Sequence, residues 1–192
     1  MVTELKPSTR SGSGPTDAAL VVAARAGEGW AQEALYQRYA RMVLGLSQRI
    51  LAGRDDADDL AQDAFVFAFT RLDTLQNPQA FQAWLRSIVA RTASKRLRRQ
   101  RLLVRLGIRR NEPIEPDTVV SPDAPADVAS EIRSVYALLD RLPAEERVAL
   151  VLRRVEGLDL AEIAEQMKLS LATVKRRIAA AEERLERARQ RG

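Results

Sequence analysis

At 192 residues and 46% apolar content, the chain is long enough for one medium domain or two small helical ones, and length does not choose between them. Lys and Arg number 31 against 26 Asp and Glu, a formal charge of +5 that favours nucleic acid or an anionic surface only where the excess is concentrated locally. The chain has no Cys and no His, which excludes disulfides and Cys/His zinc sites and removes the commonest general base, so no catalytic, cofactor or metal site is expected.

Ala, Leu, Arg and Glu dominate, the residues that cost least in a helix interior, and alternating runs of Val, Ile and Thr are missing; the expected fold class is all-α. No apolar run approaches the roughly twenty residues of a membrane span. The start, MVTELKPSTRSGSGPT, lacks the apolar centre of a secretory signal, so a cytoplasmic location and no membrane insertion are expected. Residues 1–15 are rich in Ser, Gly, Thr and Pro and read as a mobile tail without an assigned function.

Residues 16–106 read as a first domain of four helices. Thr16 or Asp17 caps the first, whose apolar Ala19, Leu20, Val22 and Ala23 lead to a stop at Gly27. The second spans about Trp30 to Leu51, with Leu35, Tyr36, Tyr39, Met42, Val43, Leu46 and Ile50 on one stripe and Gly53 ending it. Asp55 or Asp56 caps a third helix that runs through Leu72, and Asp58 and Asp59 stand in its first turn, where backbone N–H groups favour negative charge. Asn77 and Pro78 open the fourth. Phe81, Trp84, Leu85 and Ile88 form its buried stripe, and beyond Val89 it becomes the basic tract ARTASKRLRRQR.

Residues 107–128, GIRRNEPIEPDTVVSPDAPADV, carry four prolines and five carboxylates against two arginines and read as a linker. A second domain, 129–192, again reads as four helices. Ile132, Val135, Leu138, Leu139 and Leu142 mark the first, Pro143 suits the first turn of the second, and Gly157 breaks the chain after about Val155. Asp159 with Glu162 three residues on makes a capping-box start for LAEIAEQM, Lys168 and Leu169 make a turn, and Ser170 caps the last helix.

Three constellations carry chemistry. In DLAEIAEQMKLSLATVKRRIAAAEERL, Ile163, Ala164 and Met167 pack one helix and Val174, Ile178, Ala181 and Leu185 the next, which leaves Ser170, Thr173, Lys175, Arg176 and Arg177 toward solvent. That is the layout of a helix-turn-helix, whose second helix enters the roughly 12 Å major groove. An ordinary amphipathic hairpin with a solvated basic face would carry the same pattern. From Arg86 to Arg105 the cations Arg86, Arg91, Lys95, Arg96, Arg98, Arg99, Arg101 and Arg105 stand without one carboxylate among them, a run suited to phosphate. The third, DDADDLAQDAFVFAFTRL, sets an acidic start before Leu60, Ala64, Phe65, Phe67 and Ala68, a pattern that a solvated helix face would also explain.

These segments together resemble the extracytoplasmic-function (ECF) group of bacterial RNA polymerase sigma factors. DADDLAQDAFVFAF is similar to the family's second conserved region, FQAWLRSIVARTASKRLRR to the helix that opens and reads the minus-ten promoter element, and LPAEERVALVLRRVEGLDLAEIAEQMKLSLATVKRRI to the domain that reads the minus-thirty-five element. The resemblance covers about 17–105 and 129–189, in family order on either side of a linker. It implies that Asp59, Leu60, Gln62, Asp63 and Phe65 dock on the clamp helices of the largest subunit of core RNA polymerase. It places Asn77, Gln79 and Gln82 at the loop that captures a flipped minus-ten base. Arg86, Arg91, Lys95, Arg98 and Arg99 follow along the minus-ten helix, and Ser170, Thr173, Lys175, Arg176 and Arg177 face the minus-thirty-five element. Trp84 is assigned to the core. The linker lies where the family threads toward the active-site and RNA-exit channels.

The sequence departs from the family at several positions. Arg91 and Lys95 stand where Asn and Asp are frequent, Arg176 replaces a common Ser, and Ala179, Ala180 and Glu182 replace basic or aromatic groups that extend the reading helix, which shortens its expected footprint to two turns. The resemblance implies core RNA polymerase and promoter DNA as partners. An anti-sigma factor joins them because family members are commonly held by one. Two other readings remain open: a free-standing helix-turn-helix regulator, normally a symmetric dimer on a palindrome, and a nucleic-acid enzyme with metal held by Asp58, Asp59 and Asp63.

Overall fold

The computed structural model describes residues 14–52, 56–108 and 124–190. Every regular element among the described residues is helical. Helix α1 (Asp17–Arg25) begins where the Thr16 hydroxyl accepts the Ala19 N–H at 3.3 Å, and Gly27 follows its end at a φ of 88°. Pro15, expected in the tail, is tied down: its carbonyl accepts from Arg38 at 2.8 Å. Residues 1–13 of that expected tail lie outside the described residues.

Helix α2 (Gly29–Leu51) buries Leu35, Tyr39, Val43, Leu46 and Ile50 as its stripe predicts. Burial and the Asp17 carboxylate push the Tyr39 hydroxyl up to about 12, so it stays protonated and donates to Asp17, fastening α1 to α2. Tyr36 is half-exposed and packs on Phe65 with ring centroids 4.7 Å apart. The helix stops at Ala52, which adopts the left-handed conformation at φ 59°; Gly53, expected in that role, lies outside the described residues.

Helix α3 spans Ala57–Thr70, and Leu72 belongs not to it but to a single 3₁₀ turn, Leu72–Thr74. Asp56 precedes α3 without a side-chain cap bond, because its carboxylate faces the fourth helix instead, 2.6 Å from Gln100 Nε2. Asp55 is outside the described residues. Arg25 donates to the carbonyls of Leu72, at 3.0 and 3.1 Å, and of Leu75, and so holds the loop after α3 against the end of α1.

Asn77 accepts the Gln79 N–H at 3.0 Å and caps a 3₁₀ turn, Pro78–Ala80, which runs directly into α4 (Phe81–Arg105). Phe81, Leu85, Ile88, Val89, Ala93 and Leu97 are buried against α2 and α3 and in the contact with the C-terminal half described below. The basic tract is thus the straight continuation of the helix that begins at Phe81.

Residues 109–123 of the expected linker lie outside the described residues, and its last part is helical: α5 spans Ala126–Arg141. Pro125 stands at the cap, where a missing N–H costs nothing, so a proline counted as a breaker serves as a start. On α5, Leu139 is buried, Ile132 and Leu138 are half-buried and Val135 is exposed. Pro143 likewise caps α6 (Ala144–Arg154), and Gly157 at φ 70° turns the chain into α7 (Leu160–Met167). Asp159 accepts the Ala161 and Glu162 N–H groups at 2.8 Å each while Glu162 accepts from the Asp159 N–H, also at 2.8 Å, completing the capping box. Ser170 accepts the Thr173 N–H at 3.2 Å and starts α8 (Leu171–Arg189).

Helices α1–α4 and α5–α8 form two helical halves, and α4 packs across both α6 and α7. Phe81 lies between the rings of Tyr39 and Trp84, at centroid separations of 5.4 and 6.0 Å, and is fully buried. Phe81→Ala should destabilise the protein by about 3–5 kcal/mol, measured as a lowered midpoint of urea unfolding at unchanged slope.

Candidate functional site

What α3 can offer a partner is decided by which of its residues are exposed. Asp59, Gln62 and Asp63 are exposed on it, while Leu60 and Phe65 are buried. The last two therefore belong to the core, where they hold α3 in place, and the apolar groups exposed on this helix are Val66 and Phe67. Asp63 accepts from Arg96 at 3.0 Å, and Arg96 also donates to the Asp56 carbonyl at 2.7 Å. One cation of the basic tract thus fixes the start of the acidic helix. Among the described residues no group of three His, Cys, Asp or Glu could hold a metal ion, so Asp58, Asp59 and Asp63 do not gather as a metalloenzyme would need.

Asn77, Gln79 and Gln82 are exposed on the turn before α4 and its first residues. Asn77 lines a cleft of about 770 Å³ together with Trp84, Arg91 and, from α7, Glu162, Glu165 and Lys168. Trp84 is only partly buried: it packs on the core and also forms a wall of this cleft. Burial pushes the Arg91 guanidinium below its ordinary value, as expected for a cation partly withdrawn from water.

Four further cations of α4 divide into two sets. Lys95 and Arg99 are exposed, with no ion pair among the described residues. Arg86 and Arg98 face carboxylates of the C-terminal half, Arg86 at 3.9 Å from Glu156 and Arg98 at 2.8 Å from Glu145. Neither glutamate is among the residues that the sequence singles out.

The helix-turn-helix forms as the spacing predicts. Lys168 closes α7 in the left-handed conformation at φ 54°, and the Leu169 N–H reaches back to the Ala164 carbonyl at 2.9 Å. Ile163, Val174, Ile178 and Ala181 are buried between the two helices and their neighbour α6. Ser170, Lys175 and Arg176 are exposed and Thr173 and Arg177 partly so. Thr173 is engaged by the cap, its hydroxyl 2.8 Å from that of Ser170. Arg177 pairs with Glu145 at 2.9 Å, and Glu182, farther along α8, pairs with Arg154 of α6.

Residues 35–102 match the family described as Sigma-70 region 2, and residues 132–185 the family described as Sigma-70, region 4. The chain is 33% identical over 174 residues to the ECF RNA polymerase sigma factor SigM of Mycobacterium tuberculosis, a match spanning 90% of this chain and 84% of that protein. The chain belongs to the ECF sigma factors. It is also 31% identical to the RNA polymerase sigma-H factor of Pseudomonas aeruginosa, over 91% of this chain and 94% of the relative. Among solved structures it resembles CnrH in complex with the cytosolic domain of CnrY, with a TM-score of 0.60 and 27% identity, covering 91% of this chain and 97% of that one. RpoE of Bartonella quintana, solved with the anti-sigma factor NepR, shares the fold at a TM-score of 0.63 and 20% identity, over 81% of this chain and 94% of the other.

As an ECF sigma factor the protein serves promoter-specific initiation of transcription with core RNA polymerase. The two family matches fall on the two helical halves: region 2 begins within α2 and ends within α4, and region 4 begins within α5 and ends within α8. Among the described residues no helix is long and apolar enough to cross a membrane. The turn of the helix-turn-helix offers a direct test of its backbone: Lys168 holds a conformation that strains an L-residue, so Lys168→Gly should raise stability by about 0.5–1 kcal/mol, read from thermal unfolding, with helix content unchanged.

Proposed function

We propose that this sigma factor docks on core polymerase through the exposed acidic face of α3, with Asp59, Gln62 and Asp63 as its polar contacts and Val66 beside them. The observation that carries the reading is the split of α3 into a buried apolar side and a solvent side that bears Asp59, Gln62 and Asp63, on the helix matched to region 2. A basic partner surface would complement it and speed encounter.

On the same reading, Asn77, Gln79 and Gln82 meet an unstacked base of the minus-ten element, and Arg86, Arg91, Lys95, Arg98 and Arg99 follow the phosphates along α4. Ser170, Thr173, Lys175, Arg176 and Arg177 face the minus-thirty-five element from the first two turns of α8. Ser170 and Thr173 cap the helix and so aim it, while Lys175 and Arg176 stand free to reach bases or phosphates. The protein adds no catalytic centre of its own, acts in the cytoplasm, and is open to control by an anti-sigma factor.

Asp59→Arg combined with Asp63→Arg should weaken binding to core polymerase about tenfold or more, because two contacts of one sign are reversed on an exposed face. Circular dichroism should stay that of the parent. Parental affinity in the folded double variant would remove α3 as the docking surface.

A further inference from the structure

The outward side of α8 is drawn by what the core takes from it. Val174, Ile178 and Ala181 are buried at three- and four-residue spacing, and the residues exposed opposite them over the same turns are Leu171, Ala172, Lys175, Arg176 and Ala179. Thr173 and Arg177 stand at the margin of that strip, the first held in the helix cap with its hydroxyl 2.8 Å from that of Ser170, the second paired with Glu145 at 2.9 Å. The strip itself therefore combines two cations with apolar residues, of which the largest is Leu171, 44% exposed.

Packing does not account for Leu171. Leu169, the apolar residue just before the cap, packs against the core and closes the turn between α7 and α8, as does Leu185 toward the far end of the helix, whereas Leu171 is not packed against the core among the described residues. A single exposed leucine is ordinary on a protein surface. This one is the first residue of α8 and lies one turn before Lys175, on the side of the helix turned away from the protein. A major groove offers two kinds of partner to such a side: hydrogen-bonding base edges, which Lys and Arg read, and the C5-methyl of thymine, which an apolar side chain reads. Ala172, next to Leu171, is too small to hold the helix off the groove floor.

We propose that Leu171 is a specificity-determining residue that reads a thymine methyl group of the minus-thirty-five element, so that one A·T pair is chosen by apolar contact beside the groups met by Lys175 and Arg176. This rests on the reading that α8 faces that element. The contact adds preference without charge: it neutralises no phosphate, so the salt dependence of binding is left to the cations. Withdrawing one methyl group from water corresponds to about a fourfold change in affinity.

Uracil differs from thymine in the major groove by that methyl alone. The test replaces the thymine of each A·T pair of the minus-thirty-five element in turn by uracil, in duplex fragments of a promoter recovered by genome-wide selection, and measures binding by core polymerase carrying the full-length protein. At a pair read by Leu171, uracil should weaken binding about fourfold with the parent and not with Leu171→Ala, while Leu171→Met, which keeps an apolar chain of similar reach, should retain the loss. Alanine is a strong helix former and the position is exposed, so Leu171→Ala should keep the parent's circular dichroism, its affinity for core polymerase and the slope of its DNA affinity against salt. Lys175→Ala with Arg176→Ala should flatten that slope and weaken binding. A loss on uracil that persists in Leu171→Ala, or an element with no pair at which uracil matters, overturns the assignment of Leu171. The Lys175→Ala, Arg176→Ala protein then separates the causes: weakened binding keeps α8 on the DNA and removes Leu171 alone, and parental binding removes α8 with it.

Discussion

Phe81, Leu85, Ile88 and Val89 are buried along α4, and because a helix of 25 residues is stiff, that burial fixes the course of the helix all the way to Arg105. The packing near Phe81 aims cations several turns away. Arg96 shows the coupling most directly: it leaves the basic tract to bind the Asp56 carbonyl and the Asp63 carboxylate, so α4 also sets the start and one charged group of α3. Arg25 performs the same service for the loop before Asn77, through backbone carbonyls of Leu72 and Leu75. The surfaces of the N-terminal half are therefore one rigid unit rather than separate patches.

The same helix carries the contact with the C-terminal half, and there the chemistry is of a different kind. The seam between α4 and α6 is crossed by Arg98 and Glu145, and Arg86 and Arg49 converge on Glu156. Ion pairs of this sort tolerate separation far better than an apolar core does, since water and salt replace each partner when the halves part.

Local signals in the sequence translated well because caps and stops are decided within four residues. Thr16, Asn77, the Asp159–Glu162 box and Ser170 all act where their spacing places them. Other positions depart from the local expectations. Ala52 takes the left-handed position without glycine's freedom, Asp56 turns from its own helix to Gln100, and Pro125 starts a helix inside a stretch whose prolines suggested none. On α3 the periodicity of Leu60 and Phe65 was visible, but the family resemblance counted them as partner contacts although the core claims both. The pairing of Arg49 with Glu156 spans 107 residues, and nothing in the composition around either one announces it.

On the proposed function, promoter specificity belongs to the complex with core polymerase rather than to the chain alone. The most direct measurement is a salt titration of promoter binding by the protein alone, by core polymerase alone and by the two together, on a promoter recovered by genome-wide selection. Alone, the protein should bind weakly, with little preference for the promoter and a steep fall in affinity as salt rises; with core polymerase, binding should become tight and promoter-specific. Tight, sequence-specific binding by the isolated protein, unaltered by core polymerase, would contradict it.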